Sequence, residues 1–380
     1  MSRLMLPAAA AMLAAWAAVA GAEESSAPVA VSAEETQAEA PAEGAAAEGA
    51  PAEGAPAEAA PPPPDVPRPA LMVSGAAKAR LLDVSQAGKR LVAVGQQGVI
   101  VVSEDGNTWK QVPSPASVMM TRVRFYNEKL GWAVGYDGTI LHTADGGLSW
   151  SLQHSDPEAR VLYDVLFLDP QNGIAAGAYG AYYRTADGGK TWEAQAFPLA
   201  DLGQHFNRLM RLEGQLLFAA GERGLLARSV DGGANWEMLQ SPYAGSYFGA
   251  IALGGRSVLV YGMRGNVYVM QDVGTAPTQD PAKYDPYAAE TLTDPAAIAA
   301  LGWRRIDSPV KESLFGGTRL PDGSVLLVGI NAVALKTDPA LSSLKLVKLP
   351  AAETLVDVLP YGGKLIAVGR RGAQNLGALP

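Results

Sequence analysis

The feature that most constrains the fold is one phrase that recurs along the chain. It consists of an apolar run, a small residue, the pattern Gly-x-x-Gly and a second apolar run. Its first glycine stands at positions 95, 135, 177, 221, 262, 329 and 369, so the steps are 40, 42, 44, 41, 67 and 40 residues. A period near 40 with short apolar segments between turns is typical of the four-stranded blade of a propeller. The repeats predict an all-β fold, a seven-bladed β-propeller of four-stranded antiparallel blades.

A second phrase follows the first in four blades and has the pattern Ser/Thr-x-Asp-x-Gly-x-Ser/Thr-Trp, known as the Asp-box. A short carboxylate can accept N–H groups of its own turn, and glycine supplies a positive φ there. The tryptophan begins the outer strand and packs its ring against the blade. We therefore predict structural roles for the Asp-box residues. These are Asp105, Trp109, Asp145, Trp150, Asp187, Trp192, Asp231 and Trp236.

The seventh blade runs out of chain, because only one more strand fits after Arg371-Gly372. The segment from Pro69 to Ser74 precedes the innermost strand of blade 1, in the place that an outer strand occupies before other blades. We expect this N-terminal strand to complete the last blade and close the ring, which removes the unmatched seam.

An insertion at residues 273–300 interrupts blade 5 before its outer strand at Trp303 and replaces the Asp-box turn. Asp294 fits an N-cap with Pro295 at the first helical position, which predicts a short helix there. Tyr284 and Tyr287 are expected to anchor the insertion to the ring. A loop this long is often functional, and the alternative is a decorated turn.

The N-terminal region divides into two segments. Arg3, the apolar run from Leu4 and the sequence Ala20-Gly21-Ala22 are typical of a cleaved secretory signal, predicted at 1–22. The alternative is a retained membrane anchor, for which the run is short. Residues 23–66 repeat Ala, Glu, Pro and Gly and predict a disordered spacer. The propeller is expected at 67–380, in the periplasm.

Charge and cysteine content exclude several function classes. The net charge is −8, and residues 1–66 contain ten acidic residues and one basic residue, so the propeller itself is nearly neutral. Nucleic acid binding is therefore not indicated. The chain has no cysteine, which excludes disulfides and thiolate metal sites.

Asp-boxes also occur in sialidases, so a catalytic propeller is an alternative that needs catalytic residues. A sialidase needs three arginines around a carboxylate, a Tyr–Glu pair and an acidic Asp, and it usually has six blades. The spacings of His142, His154 and His205 fit no metal motif, and no nucleophile elbow, P-loop or H-E-x-x-H occurs. We expect no enzymatic activity, no metal and no cofactor.

The tips of the Gly-x-x-Gly turns form a ring on the face that also holds the linkers between blades. The second variable residues are Gln97, Asp137, Tyr179, Arg223, Arg264, Asn331 and Arg371. A basic, tyrosine-bearing surface suits carboxylate groups of a partner. We predict partner contacts at Tyr179, Arg223, Arg264, Arg370 and Arg371. The alternative is that turn tips are simply exposed and often charged.

Asp-boxes paired with V-G-x-x-G turns across seven blades resemble the photosystem II assembly-factor type of propeller over residues 67–380. The resemblance implies a non-catalytic propeller that binds a membrane subunit, and for bacterial relatives a periplasmic accessory to an RND-type exporter. Blades 5 and 6 depart from the pattern because they lack intact Asp-boxes, and blade 7 has none. We expect a protein partner and a propeller that is monomeric by itself. The alternative is a carbohydrate-binding or glycan-hydrolysing propeller.

Overall fold

The computed structural model describes residues 67–197, 199 and 203–380. The signal peptide and the spacer predicted for residues 1–66 lie outside the described residues. None of the helices in the described part of the chain is long and apolar enough to span a bilayer.

Seven antiparallel sheets succeed one another along the chain. Blade 1 has β1 (Leu81–Ala87), β2 (Arg90–Gly95), β3 (Ile100–Ser103) and β4 (Lys110–Val112). Blade 2 has β5 (Met120–Phe125), β6 (Gly131–Gly135), β7 (Ile140–Thr143) and β8 (Ser151–His154). Blade 3 has β9 (Leu162–Phe167), β10 (Gly173–Gly177), β11 (Tyr182–Thr185) and β12 (Glu193–Ala194). Blade 4 has β13 (Phe206–Arg211), β14 (Leu217–Gly221), β15 (Leu226–Ser229) and β16 (Glu237–Met238).

Blade 5 has β17 (Tyr247–Gly254), β18 (Ser257–Gly262), β19 (Val267–Met270) and β20 (Trp303–Ile306). Blade 6 has β21 (Leu314–Arg319), β22 (Val325–Gly329), β23 (Ala334–Thr337) and β24 (Leu344–Leu346). Blade 7 has β25 (Leu355–Tyr361), β26 (Lys364–Gly369) and β27 (Gly372–Ala378). The described α-helix is α1 (Pro295–Ala300). Short 3-10 turns cover Ala76–Lys78, Gln96–Gly98, Ala178–Gly180, Met263–Gly265, Val273–Thr275, Pro281–Lys283 and Ile330–Ala332.

The first strand of each blade contacts the first strands of its two neighbours, and β1 contacts β25, so the ring is closed. The seven-bladed, all-β fold is confirmed. The second strands of all seven blades are almost wholly buried, and the core consists of clusters between adjacent blades. Trp132 of blade 2 and Phe167 of blade 3, for example, stack with their ring centres 3.3 Å apart. Burial of aromatic surface between blades therefore holds the ring together.

The first glycine of each Gly-x-x-Gly phrase is required by a close approach of backbone. Gly177 has an extended φ of −171°. A Cβ built on it would lie 2.0 Å from the carbonyl oxygen of Val161, just before the innermost strand of the same blade. A Cβ built on any of the other six first glycines would likewise lie 2.0 to 2.3 Å from the carbonyl oxygen of the residue just before the innermost strand of its blade. Each first glycine of the repeat thus marks the point where the second strand of a blade passes closest to the start of the first strand.

The second glycine of the phrase serves the interblade linker. Gly98 has a φ of +69°, and a Cβ on it would lie 1.8 Å from the carbonyl oxygen of Ala116, in the linker to blade 2. Gly224 accordingly donates its N–H to the carbonyl of Gly245, in the linker to blade 5. The Gly-x-x-Gly turns and the linkers therefore lie on one face, which we call the linker face.

The predicted closing strand is wrong. Blade 7 has three strands, and the described residues add no fourth strand to it. The segment from Pro69 to Ser74 lies instead against blade 1, where the Ala70 N–H donates to the Ser114 carbonyl at 3.0 Å. The Gln111 amide bonds the Leu71 carbonyl and the Val73 N–H, both at 2.8 Å. The Gln111 side chain thus bonds the backbone N–H and C=O groups with which the segment would otherwise pair with β27.

Ring closure depends on contacts between blades 7 and 1. Val368 of β26 belongs to a core cluster with Leu81 and Val101 of blade 1. The Tyr361 hydroxyl lies 2.6 Å from the Lys89 carbonyl and 2.7 Å from that of Glu104. Side-chain packing therefore replaces the expected strand exchange at this seam.

The insertion of blade 5 climbs along the outer edge of blade 4. Thr278 forms a β-bridge with Leu239. The chain then reaches the linker face, where the Leu292 N–H donates to the Pro242 carbonyl. It returns through α1, where the Asp294 carboxylate accepts N–H groups of Ala296 and Ala297. The predicted cap and short helix are both present.

Candidate partner-binding face

The carboxylates of the Asp-box aspartates accept hydrogen bonds from their own turns. One oxygen of Asp145 accepts the N–H groups of Leu148 and Ser149 at 2.9 and 3.0 Å, and the other accepts the Ser149 hydroxyl at 2.6 Å. Burial opposes ionisation, but these bonds outweigh it and lower the pKa of Asp145 to about 2. Asp105, Asp187 and Asp231 make equivalent bonds. These carboxylates are engaged in holding turns.

Blade 6 keeps the chemistry of the Asp-box without its sequence. Asp338 accepts the N–H groups of Ser342 and Ser343 at 2.6 and 3.1 Å, as well as the Ser342 hydroxyl. The tryptophan is replaced by Leu344 at the start of the outer strand. Blade 6 therefore retains the Asp-box turn, but a leucine replaces the tryptophan that packs against the other blades.

Six of the seven ring positions share one backbone conformation. Gln97, Asp137, Tyr179, Arg223, Arg264 and Asn331 have φ between 50° and 56°. Arg371 differs, because it lies with Arg370 in the two-residue turn between Gly369 and Gly372 and does not have a positive φ. A left-handed residue is costly for most side chains, so each tip is held by its surroundings.

The tips of blades 3 and 4 meet in one cluster of aromatic and charged groups. The guanidinium of Arg160 lies 5.3 Å from the ring centre of Tyr179 and donates to the Tyr179 carbonyl. The Tyr179 ring contacts His205 edge-on at 4.5 Å. His205 in turn lies 3.7 Å from a carboxylate oxygen of Glu222. Two predicted partner residues, Tyr179 and Arg223, therefore flank this cluster.

The histidine in this cluster is neutral at neutral pH. Burial lowers the pKa of His205 to about 4, and the positive charges of Arg223 and Arg160 act in the same direction. Burial also raises the pKa of Glu222 above its ordinary value. The basic character of the region therefore comes from its two arginines.

The insertion adds an aromatic ring beside Arg223. The Arg223 guanidinium lies 4.3 Å from the ring centre of Tyr287, whose side chain is three-quarters exposed. The Tyr284 hydroxyl donates to the Arg223 carbonyl at 2.6 Å. Both tyrosines thus anchor the insertion to the ring, as the sequence predicts. The tip of blade 4 becomes a cation stacked on an exposed aromatic.

Arg264 of blade 5 lines a separate cleft with two further cations, Arg305 and Lys311. The cleft has a volume of about 480 Å³ and lies beside the linker to blade 6, with Asn266 and Ser308 also in its wall. Arg305 approaches Asp307 at 3.6 Å, and that carboxylate is 97% exposed. The cleft therefore presents an excess of positive charge.

The arginines predicted at blade 7 already have a partner within the chain. Glu353 lies 2.8 Å from Arg371 and 3.6 Å from Arg370. One carboxylate therefore offsets part of their charge. The strongest unshared basic character of the ring lies at blades 3 to 5.

A network of ion pairs that was not predicted from the sequence lines the innermost strands, and we call it the axial network. Asp164 is fully buried, and Arg124 grips it with two bonds of 3.1 Å. Arg122 and Arg208 approach the same carboxylate at 3.7 and 3.9 Å. Desolvation would raise the pKa of Asp164, but the three arginines lower it to about 2.

A second carboxylate pair continues this network into blades 1 and 7. Asp83 accepts Arg122 at 2.7 Å and the Val123 N–H at 2.8 Å. Burial, and then the nearby charge of Asp83, raise the pKa of Asp357 to about 8. At neutral pH the Asp357 carboxyl group therefore keeps its proton beside Asp83.

Three arginines around one carboxylate is the arrangement expected of a sialidase, but the carboxylate here is a side chain of the protein itself. Asp164 occupies the place between Arg122, Arg124 and Arg208, and it also accepts the N–H groups of Val165 and Leu209. A substrate carboxylate would have to displace a fully hydrogen-bonded, buried ion. The arrangement is a structural joint between blades.

The other two histidines pack against the sheets. The His142 ring lies 5.1 Å from that of Trp132, and His154 Nδ1 lies 2.8 Å from the Gly138 carbonyl. Within the described ranges, no group of three or more His, Asp or Glu side chains is arranged to hold a metal ion.

Comparison with known proteins gives consistent matches. The profile of the family described as Photosynthesis system II assembly factor YCF48 matches residues 153–280. The photosystem II assembly protein Ycf48 of Thermosynechococcus vestitus (strain NIES-2133 / IAM M-273 / BP-1) is 29% identical over 70 residues, which are 17% of this chain and 20% of that protein. The chain thus matches only a small part of the length of this curated relative.

Solved structures show the same fold. YCF48 bound to a D1 peptide superposes with a TM-score of 0.56 at 20% identity, covering 83% of this chain and 100% of that one. YCF48 from Cyanidioschyzon merolae gives 0.57 at 15% identity, covering 78% and 94%. The WD40 propeller domain of Doa1 gives 0.56 at 11% identity, covering 83% and 97%. At these identities the likeness extends to the fold.

Proposed function

We propose that this chain, a photosystem II assembly factor-like seven-bladed propeller, is a non-catalytic protein-binding module of the periplasm that assists a membrane complex such as an RND-type exporter. The family resemblance inferred from the Asp-boxes and V-G-x-x-G turns is confirmed by the profile match, the curated relative and the two YCF48 structures. One of those YCF48 structures holds a D1 peptide, which supports protein binding by a propeller of this type.

The observation that favours this function most is the linker face of blades 3 to 5. Arg223 stacks on exposed Tyr287, Arg160 stacks on Tyr179, and Arg264 lines a cleft with two more cations. Arginine and tyrosine are the side chains most often found at the centres of protein interfaces. Guanidinium groups pair well with carboxylates, so an acidic segment of the partner is the expected ligand.

The axial network supports a binding role over a catalytic one. Asp164, the only carboxylate that three arginines approach in the described residues, is itself fully buried. The Asp-box carboxylates serve their own turns. These carboxylates are thus committed to holding the turns and the ring.

The periplasmic location is supported by the sequence of the first 66 residues. The apolar run and A-x-A site are typical of secretion, and a long spacer would let the propeller reach a partner at the membrane. A chain without cysteine needs no disulfide formation in that compartment.

The proposal is tested by charge reversal on the linker face. The full chain carrying Arg223→Glu and Arg264→Glu is crosslinked in intact cells, and its membrane partners are quantified by mass spectrometry. We expect the partner recovered with the unchanged chain to be lost. Lys190→Glu, an equal charge change in the Asp-box turn of blade 3, is the control and should leave recovery intact. Equal recovery with both variants would refute the proposed face.

A further inference from the structure

Blade 7 has an open edge that the other blades lack. Six sheets have four strands, whereas the seventh ends at β27. Among the described residues, no backbone group outside blade 7 pairs with β27. An antiparallel ladder turns alternate N–H and C=O groups outward, so the middle of β27, at Ala373 and Asn375, offers such groups to an incoming strand. At its two ends, Ala77 packs against Gly372 and the Asn375 side chain accepts the Gly377 N–H.

The same edge lacks the apolar cover that outer strands supply elsewhere. Trp150, Trp192, Trp236 and Trp303 stand at the start of the outer strands of blades 2 to 5. Leu71, Met72 and Val73 lead into the turn Ala76–Lys78, which contacts β27, and they are 80, 57 and 50% exposed. Three adjacent exposed apolar side chains beside an open edge form a surface that favours an apolar ligand.

Positive charge predominates at this seam, although the turn that Tyr361 and Asn375 contact carries Glu104 and Asp105. The bordering stretches 67–80, 109–112 and 370–380 contain six lysines and arginines and no aspartate or glutamate. Arg370 and Arg371 pair with Glu353, while Arg68, Lys78 and Lys110 have no ion pair among the described residues. Complementarity therefore favours an acidic occupant.

We propose that the edge of β27 is a second docking site, which takes an extended partner segment of alternating apolar and acidic residues as the fourth strand of blade 7. Main-chain bonds to β27 would give affinity, and side chains would give selectivity through Leu71 to Val73 and the basic residues of the seam. A second copy of this chain is a poor occupant, because like edges would bring the same basic stretches together. This site is separate from the basic linker face.

The test uses the full chain and a short synthetic peptide that alternates valine with glutamate. Binding is measured by fluorescence anisotropy, and the bound region is located by hydrogen exchange. We expect the peptide to protect the outward-facing amides of Ala373 and Asn375 in β27. A matched peptide with lysine for glutamate should bind about fivefold more weakly or worse, as expected for opposed charges across a strand pair.

Two variants assign the site. Gly369 and Gly372 pair across the two-residue turn, so the N–H of the next residue, Ala373, points away from β26. Ala373→Pro removes this outward N–H and should block strand addition without disturbing the β26–β27 ladder. Replacing Leu71, Met72 and Val73 with serine changes only exposed side chains and should weaken binding about tenfold, since three apolar contacts are lost. The matched control is Val230→Ser, another exposed apolar residue, which should bind the peptide normally.

Several outcomes would overturn this proposal. They are an absence of protection at β27, equal binding of the acidic and basic peptides, or unchanged binding by the triple serine variant. Protection of β27 without peptide in a monomer would mean that the chain covers its own edge. A dimer detected by sedimentation with the same protection would mean that a second copy does. The Arg223→Glu and Arg264→Glu variant should still bind the peptide, so failure here and failure of the proposed function are distinguishable.

Discussion

The guanidinium of Arg223 lies 4.3 Å from the ring centre of Tyr287, although the two residues belong to different blades. Tyr284 bonds the Arg223 carbonyl at the same turn, so the insertion of blade 5 is fastened to the tip of blade 4 at two points. The stack orients the cation while leaving three-quarters of the tyrosine exposed. The insertion therefore supplies part of the linker face at blade 4.

Removing this ring should weaken partner binding without unfolding the protein. We predict that Tyr287→Ala lowers affinity for the partner about two- to fivefold, because an exposed cation–π contact is worth about 0.5–1 kcal/mol. Tyr126→Ala, at an exposed tyrosine of the hairpin between β5 and β6, is the control. Affinity is compared by titration and stability by thermal unfolding. A loss of stability without loss of binding would assign Tyr287 a purely structural role.

The ion at the centre of the axial network should be costly to remove. Asp164→Ala removes the buried carboxylate that Arg122, Arg124 and Arg208 share, and it is predicted to lower the free energy of unfolding by about 3–5 kcal/mol. Asp307→Ala, at a carboxylate that is almost fully exposed, should change it by less than about 0.5 kcal/mol. Urea denaturation of both variants measures the difference. Similar stabilities would show that the network is loosely solvated.

The glycines of the repeat should differ in tolerance according to their surroundings. Gly177→Ala places a methyl group 2.0 Å from the Val161 carbonyl, where backbone must move, and should cost about 3 kcal/mol or more. Gly214→Ala meets nothing within 4 Å and is opposed only by its φ of +64°, which costs about 1 kcal/mol. Thermal unfolding distinguishes the two, and equal losses would contradict the close-approach explanation.

The carboxyl pair at the seam predicts a pH dependence. Burial and Asp83 raise the pKa of Asp357 to about 8, above its unfolded value of 3.8. The folded state thus binds the extra proton, and the stability it gives is present below pH 4 and is lost as pH rises through 8. Arg122, Arg208 and Tyr261 face the pair from blades 2, 4 and 5 and remain in their ordinary charge states over this range.

The matched variant isolates that contribution. Asp357→Asn should flatten the fall in unfolding free energy between pH 4 and pH 8. The loss of stability at acidic pH should persist in the variant. Asp145 and Asp187 have pKa values lowered to about 2, so they lose their stabilising charge only as the pH falls below 4. Urea titrations at pH values from about 2 to 8 measure the loss of stability at both ends. An unchanged slope in the variant would show that Asp357 does not retain a proton in the folded state.

Local repeats made much of this structure predictable. The spacing of Gly95, Gly135 and their successors gives seven blades because each glycine marks a contact within its own blade. The Asp-box turn is likewise closed by bonds within five residues. Tyr284 and Tyr287 could be predicted as anchors because a long insertion must bury something against the ring.

Features that join distant segments were harder to predict. The closing strand failed because Gln111, far along the chain, takes the polar groups of Leu71 and Val73. The axial network nevertheless left a signal in the sequence. Five inner strands, which begin at Leu81, Met120, Leu162, Phe206 and Leu355, carry a charged residue two positions later. Glycine stands at this position in the remaining two blades, at Gly249 and Gly316.

The central claim is that the partner is held on the linker face of blades 3 to 5. The most direct measurement is site-specific photo-crosslinking in intact cells, with the photoreactive residue at Tyr179 or Arg264 and, for comparison, at Lys190 in an Asp-box turn. We predict that a single membrane protein crosslinks from Tyr179 and Arg264 and not from Lys190. A crosslink formed only from Lys190 would place the partner on the opposite face and contradict this account.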